Sequence, residues 1–229
     1  DVNFAQRYLI NKKITPLALC HVIGEEVESN YSVSAVIEAK SIEQREDVLE
    51  NPKVLAFDIE VYNERRNPNE EKDQIIMIAI YGKNFKKVIV PKRYENAKDY
   101  VEFANDEGDM IVRFNDAVKN YNPDYLVGYF SDGFDFPYIR ARAEKYNIKL
   151  NLGLDGRGVK FARRGGKQTT KIVGMPHIDI FKFIRRIVSG ELNLPAYDLD
   201  TVAKHLLGKG KQKVDIENIP LDDAKTFKM

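Results

Sequence analysis

Short apolar runs and one long helical period alternate along this chain, and together they predict an α/β domain. Val54–Val61 reads as a strand that enters through Val54, Leu55, Ala56 and Phe57. Tyr62–Asp73 follows as a loop. Its part Asn63–Asp73, NERRNPNEEKD, is all polar or proline and marks an exposed connection. Gln74–Tyr81 and Phe85–Pro91 read as two more strands, joined through Gly82, Lys83 and Asn84 as a hairpin. Helices are expected at Ala97–Phe103 and Glu107–Tyr121. In the second, Met110, Ile111, Phe114, Ala117 and Val118 share one face at helical spacing. Asp124–Phe130 is then a short apolar strand and Phe134–Tyr146 a helix, with Ser131, Asp132 and Gly133 as turn and cap residues. A second hairpin is expected between Val159–Arg163 and Thr169–Val173, around a glycine-rich centre. Residues 1–50 form a polar lead-in with one strand candidate, Tyr31–Ala39. The result is a three-layered α/β pattern, which by itself does not choose among α/β folds.

Composition adds limits. At 229 residues and 43% apolar content the chain buries a good core, as one domain plus an appendage. Charged residues make up 31% and nearly cancel, leaving a net charge of +1, so overall charge predicts no nucleic-acid partner. The Lys/Glu richness also suits a thermophile. Cys20 is the only cysteine, which excludes an internal disulfide and fits an intracellular protein. His21, His177 and His205 are too scattered for a zinc site and read as surface or core histidines. There is no signal peptide or membrane-spanning run, and a first residue of Asp1 fits a fragment.

Candidate chemistry sits at three places. On a strand, side chains two apart share a face, so Asp58 and Glu60 stand side by side, opposite Phe57 and Ile59. Two such carboxylates repel unless a cation lies between them, and hard oxygen ligands suit Mg²⁺ or Mn²⁺. A half-buried strand with an acidic solvent face gives the same pattern. Asp135 falls in the first turn of a helix, where unpaired N–H groups and the dipole favour an anion. A plain helix-start acid would do the same, but Phe134, Phe136, Pro137 and Tyr138 set this one among aromatics. From Gly156 to Arg186 there are nine basic residues and one acid, Asp179. Lys160, Arg163, Arg164 and Lys167 lie on or beside the expected hairpin. They read either as a solvated loop or as contacts for a phosphate backbone.

FDIE, followed about seventy-five residues later by GYFSDGFDFPYI, resembles the proofreading 3′–5′ exonuclease domain of archaeal-type family B DNA polymerases. DVNFAQRYLINKKITPL, HIDIFKFIRR (His177–Arg186) and LNLPAYDLDTVAKHLLG (Leu192–Gly208) extend the resemblance over essentially the whole chain. The resemblance implies a ribonuclease H-like mixed sheet flanked by helices, with a small N-terminal appendage. It divides the chain into residues 1–50, the tail of the polymerase amino-terminal domain, and residues 51–229, the exonuclease domain. Asp58 and Glu60 become the first exonuclease motif and Asp135 the acid of the second. They are then the catalytic and metal-holding residues for two ions of Mg²⁺ or Mn²⁺. Two departures stand out. The second motif usually carries Asn five positions before its Asp, and Phe130 stands there. The third motif, Tyr-x-x-x-Asp, is expected beyond Met229. Tyr197-Asp198-Leu199-Asp200 is not that motif, because Thr201 stands four after the Tyr; it matches a helix opening.

The implied reaction is two-metal hydrolysis of the 3′-terminal phosphodiester of single-stranded DNA. Phe134 or Tyr129 would stack on the terminal base, or else pack in the core. Implied partners are a single-stranded 3′ end or primer-template DNA, the rest of the polymerase chain, and a sliding clamp through the full-length protein. No membrane is implied, and the expected location is cytoplasmic, at the nucleoid. Two other classes remain. One is a nucleic-acid-binding or scaffold module with its catalysis lost, to which Phe130 lends weight. The other is a template-sensing module, for which residues 1–50 hold only the tail of the relevant region.

Overall fold

In the computed structural model, residues 3–47, 50–63, 67–164 and 167–210 are described, Arg164 and Lys167 by backbone only. Helix α1 (Phe4–Asn11) starts at Asn3, whose side chain accepts the N–H of Gln6 at 2.9 Å. Strands β1 (Cys20–Glu26) and β2 (Ile37–Gln44) pair antiparallel in a sheet of their own. The strand expected at Tyr31–Ala39 therefore begins later. Residues 27–36 serve as the link between β1 and β2, and β1 was not expected.

The main sheet has six strands. They are β3 (Val54–Val61), β4 (Ile75–Gly82), β5 (Phe85–Val90), β6 (Val101–Phe103), β7 (Tyr125–Gly128) and β10 (His177–Asp179). Their order is β10-β7-β3-β4-β5-β6. β4 runs antiparallel to β3 and β5, whereas β7 is parallel to both β3 and β10. Helices α2 (Glu107–Tyr121) and α3 (Asp135–Lys145) pack on it. Strands β8 (Lys160–Arg164) and β9 (Lys167–Lys171) form a separate two-stranded hairpin. This is the mixed sheet flanked by helices that the motifs imply. The segment Ala97–Phe103 is not a helix: its last three residues are β6, parallel to β5 through Val88–Val101. Seven residues are too few to offset the cost of helix nucleation, and Val101 and Phe103 suit a strand.

Alternation on β3 is what aims the acids. Leu55, Phe57 and Ile59 are buried, while Asp58 and Glu60 are exposed. Phe57 sits between Phe114 of α2 at 5.5 Å and Phe136 of α3 at 4.9 Å. Removing such a ring from a core typically costs about 3–5 kcal/mol. A one-residue slip would trade Phe57 and Ile59 for the acids, so the core itself holds Asp58 and Glu60 outward.

A buried ion pair fixes the two helices. Arg142 of α3 donates through Nε and Nη2 to Glu107 of α2, at 2.8 and 2.5 Å, and neither side chain is solvated. Glu107 also accepts the N–H of Ile75 at 2.8 Å and the hydroxyl of Tyr146 at 2.9 Å. Arg142 Nη1 reaches the carbonyls of Glu70 and Glu71 at 3.1 and 3.3 Å. The cluster therefore joins α2, α3, the start of β4 and the connection before it. Deleting one partner of such a pair typically costs about 3–5 kcal/mol, because the other charge stays buried.

The described residues divide after Ile180 into two compact units. After β10 come α4 (Ile180–Phe183), a π-helical turn at Ile184–Val188, α5 (Ser189–Leu192) and α6 (Leu199–Leu207). Asp198 caps α6 by accepting the N–H of Thr201 at 3.0 Å, so the Tyr197–Asp200 run is a helix opening as expected.

Candidate active site

The parallel strands β3, β7 and β10 finish on one edge of the sheet. In open α/β sheets this carboxyl edge is where ligands gather. Val54–Ala56 pair with Tyr125–Val127, so Asp58 and Glu60 lie just beyond the paired stretch. Asp179, the last residue of β10, pairs with Gly128, the last of β7. The loop leaving β7 returns along the same edge and delivers Asp135 at the start of α3.

Asp135 is only 3% exposed. Its carboxylate accepts the N–H of Ile59 at 3.2 Å, which ties it to the β3 backbone between Asp58 and Glu60. Burial pushes its carboxyl up to about 7, and the negative charge of Asp58 pushes the same way. The N–H bonds from its own backbone and from Ile59 oppose the rise, and Asp179 adds a smaller push upward. Asp135 therefore feels the charges of both Asp58 and Asp179.

Asp179 organises the loop after β7. It accepts the N–H of Phe130 at 3.0 Å and that of Asp132 at 3.2 Å. Asp132, expected from sequence as a cap of α3, does not cap it; its Oδ1 accepts the N–H of Thr170 on β9 at 2.6 Å. The basic hairpin is thereby bound to the turn that carries Asp135. Ser131 Oγ lies 2.9 Å from Nε2 of His177, whose side chain is fully buried against Phe136, with ring centroids 4.7 Å apart. Of the two readings left open for the histidines, surface or core, His177 is a core histidine. The turn is tight. A Cβ on Gly128 would lie 2.5 Å from that of Ser131, and one on Gly133 would lie 2.4 Å from the Phe130 ring. Phe130 takes a left-handed conformation at φ 62°, which ends β7 at Gly128, short of the expected Phe130.

Phe134 is half-buried against the core, its ring 5.4 Å from that of Tyr138. Tyr129 is half-buried. Lys160 and Arg163 are exposed on β8, whereas the side chains of Arg164 and Lys167 lie outside the described residues. The edge places Asp135 within electrostatic reach of Asp58 and of Asp179. Yet among the described residues no three Asp, Glu, His or Cys side chains form a cluster able to hold a metal ion. Sequence reasoning missed Asp179 and Asp132. The signal for Asp179 was its isolation as the one acid in a basic stretch.

The family model described as DNA polymerase family B, exonuclease domain, matches residues 1–202. The chain is similar to a DNA polymerase of Methanocaldococcus jannaschii, 35% identical over 93% of this chain and 12% of that protein. It is 36% identical to a DNA polymerase of Pyrococcus glycovorans, over 93% of this chain and 23% of that protein. Among solved structures, the family B DNA polymerase from the hyperthermophilic archaeon Pyrobaculum calidifontis superposes with a TM-score of 0.75. It is 27% identical, over 92% of this chain and 25% of that one. The chain thus spans about a quarter or less of the length of these relatives.

Proposed function

The chain belongs to the exonuclease domains of family B DNA polymerases, and from that premise we propose that it hydrolyses the 3′-terminal phosphodiester of single-stranded DNA. The observation that carries this reading is the buried Asp135 bonded to the β3 backbone and coupled to Asp58 at the carboxyl edge of the sheet. Asp58, Glu60 and Asp135 are the proposed catalytic and metal-holding residues. All are oxygen donors, and the mutual repulsion of Asp58 and Asp135 is the kind a divalent cation relieves. They fit Mg²⁺ or Mn²⁺ as the start of a site rather than a closed cage. Bound there, two such ions would supply Lewis acidity and an activated water. Asp58 and Glu60 present their charge to solvent, and Asp135 holds its carboxylate against β3. Lys160, Arg163, Arg164 and Lys167 are proposed to attract the phosphate backbone, because the acids alone would repel it.

On this reading residues 1–50 are the tail of a polymerase amino-terminal domain and residues 51–229 the exonuclease domain. Primer-template DNA, the remainder of a polymerase and a sliding clamp are the partners proposed, in the cytoplasm. Among the described residues no helix is long and apolar enough to cross a membrane. A second reading, a binding or scaffold module without catalysis, is favoured by Phe130 standing where the family's second motif usually has Asn.

The test is incubation of excess protein with Mn²⁺ and single-stranded DNA labelled at its 5′ end. Stepwise shortening from the 3′ end, abolished in Asp58→Ala, is expected. It should be slow, since the 229 residues carry no Tyr-x-x-x-Asp after Gly208 and imperfect aim alone costs about 10²-fold. Shortening that persists in Asp58→Ala would remove the acids from the reaction. No shortening with intact DNA binding would favour the scaffold reading.

A further inference from the structure

We propose that the β5–β6 end of the main sheet is a contact surface for single-stranded nucleic acid, with cations for its phosphates and Tyr94 for one of its bases. It uses neither the acids proposed for hydrolysis nor the β8–β9 hairpin, so it goes beyond the exonuclease reading and does not rest on it.

This end of the sheet is basic. From Lys83 to Phe103 there are six basic residues and three acids. One of those acids, Glu102, is taken up by other cations: it pairs with Lys87 and accepts a bond from Arg113 of α2 at 2.6 Å. Along β5, Lys87 and Ile89 alternate with Lys86, Val88 and Val90, and Ile89 is fully buried in the core. Lys87 and Glu102 therefore lie on the side of α2. Lys86 lies on the opposite face, which it shares with Val101 and Phe103 of β6, the residues paired with Val88 and Val90.

Rings, not carboxylates, hold the cations on that face. Lys86 Nζ lies 3.8 Å from the centroid of the Tyr100 ring, and the Arg93 guanidinium 5.6 Å from that of Phe103. A carboxylate would cancel the charge it holds, whereas a ring orders the side chain and leaves the charge to act outward. Order established beforehand reduces the entropy lost on binding. Lys98 is exposed in the same segment, and the exposed acids Glu95 and Asp99 are too few to reverse the balance.

Tyr94 completes the surface. It is 53% exposed and stands edge-on to Phe103, with centroids 5.5 Å apart and planes at 86°. Phe103 thus supports both an ordered cation and a half-exposed ring. Ordered cations beside an exposed ring match a single strand, whose phosphates and base faces are both open. An acidic peptide would engage the cations and leave Tyr94 idle, and a duplex keeps its base faces stacked inside. The contact is tolerant of sequence, because every base has a π-face.

The experiment measures fluorescence anisotropy of labelled oligothymidine with the 229-residue chain, in EDTA and over a range of salt. The parent carries Arg163→Gln, Arg164→Gln and Lys167→Gln, so that the hairpin does not contribute. Adding Lys86→Gln, Arg93→Gln and Lys98→Gln should weaken binding and flatten the plot of log affinity against log salt by about 2, at about 0.7 per phosphate contact. Tyr94→Ala should weaken binding about tenfold with the slope unchanged, and Tyr94→Phe should bind like the parent. Unlabelled duplex and polyglutamate should compete less well than an unlabelled single strand. Affinity and slope unchanged by the three added Gln substitutions overturn the proposal, as does a parent that binds no single strand. Binding indifferent to Tyr94→Ala, or polyglutamate that competes as well as the single strand, overturns it in favour of an acidic partner. All of these failures leave the exonuclease reading standing, since that reading is tested by shortening of DNA in wild type against Asp58→Ala.

Discussion

Asp135 is held between two opposed influences. Burial and the charge of Asp58 keep its proton on, while the N–H of Ile59 favours the anion. The first pair wins, which places the carboxyl near 7 rather than at its ordinary value of 3.8. In the unfolded chain the proton leaves near pH 4, whereas in the metal-free fold it stays until about pH 7. The fold therefore binds the extra proton in that window, and its stability falls as pH rises through it. The contribution is fully present below about pH 4 and lost above about pH 7. Asp135→Asn has no proton to lose. We expect it to melt well above wild type at pH 8 in EDTA, with the gap closing towards pH 4. At about 1.4 kcal/mol per pH unit the effect is bounded near 4 kcal/mol. Melting curves in which the gap is the same at both pH values would show that burial does not set this carboxyl's charge. Phe130 belongs to the same scale: its residue type was visible in the sequence as a departure, but its left-handed backbone and its exposure were not.

Among elements, those with a long, clean period were readable and the short ones were not. β3 and α2 have the expected bounds, because alternation over eight residues and a helical face over fifteen leave little choice. β6 has three residues and is a strand only because β5 lies beside it. Asp179 escaped notice because its partners lie 47 and 49 residues away, and Asp132 passed for a cap because Thr170 is 38 residues away. The β8–β9 hairpin was legible as a basic, glycine-rich turn, but its tether to the site through Asp132 was not. That tether is the reason to test the hairpin's charge for the proposed contact with DNA. Replacing Arg163, Arg164 and Lys167 together with Gln should weaken single-strand binding. It should also flatten the plot of log affinity against log salt by about 2, since each lost phosphate contact on a single strand is worth about 0.7. An unchanged slope would place the DNA track on another surface.

At the scale of the whole molecule, the sheet and its buried Arg142–Glu107 pair serve to bring three strand ends and one helix start to a common edge. That the chain is a family B exonuclease domain was legible from its motifs, since FDIE and SDGFD are specific in combination. What the motifs did not convey is that Asp58 and Asp135 are coupled while Asp179 supports the turn between them. The central claim is that Asp58 and Asp135 hold a divalent cation together. Calorimetric titration of Mn²⁺ into the protein at pH 8, where Asp135 has lost its proton, tests it most directly. Weak, saturable binding that disappears in Asp58→Ala is the predicted result, and equal affinity in wild type and Asp58→Ala would contradict it.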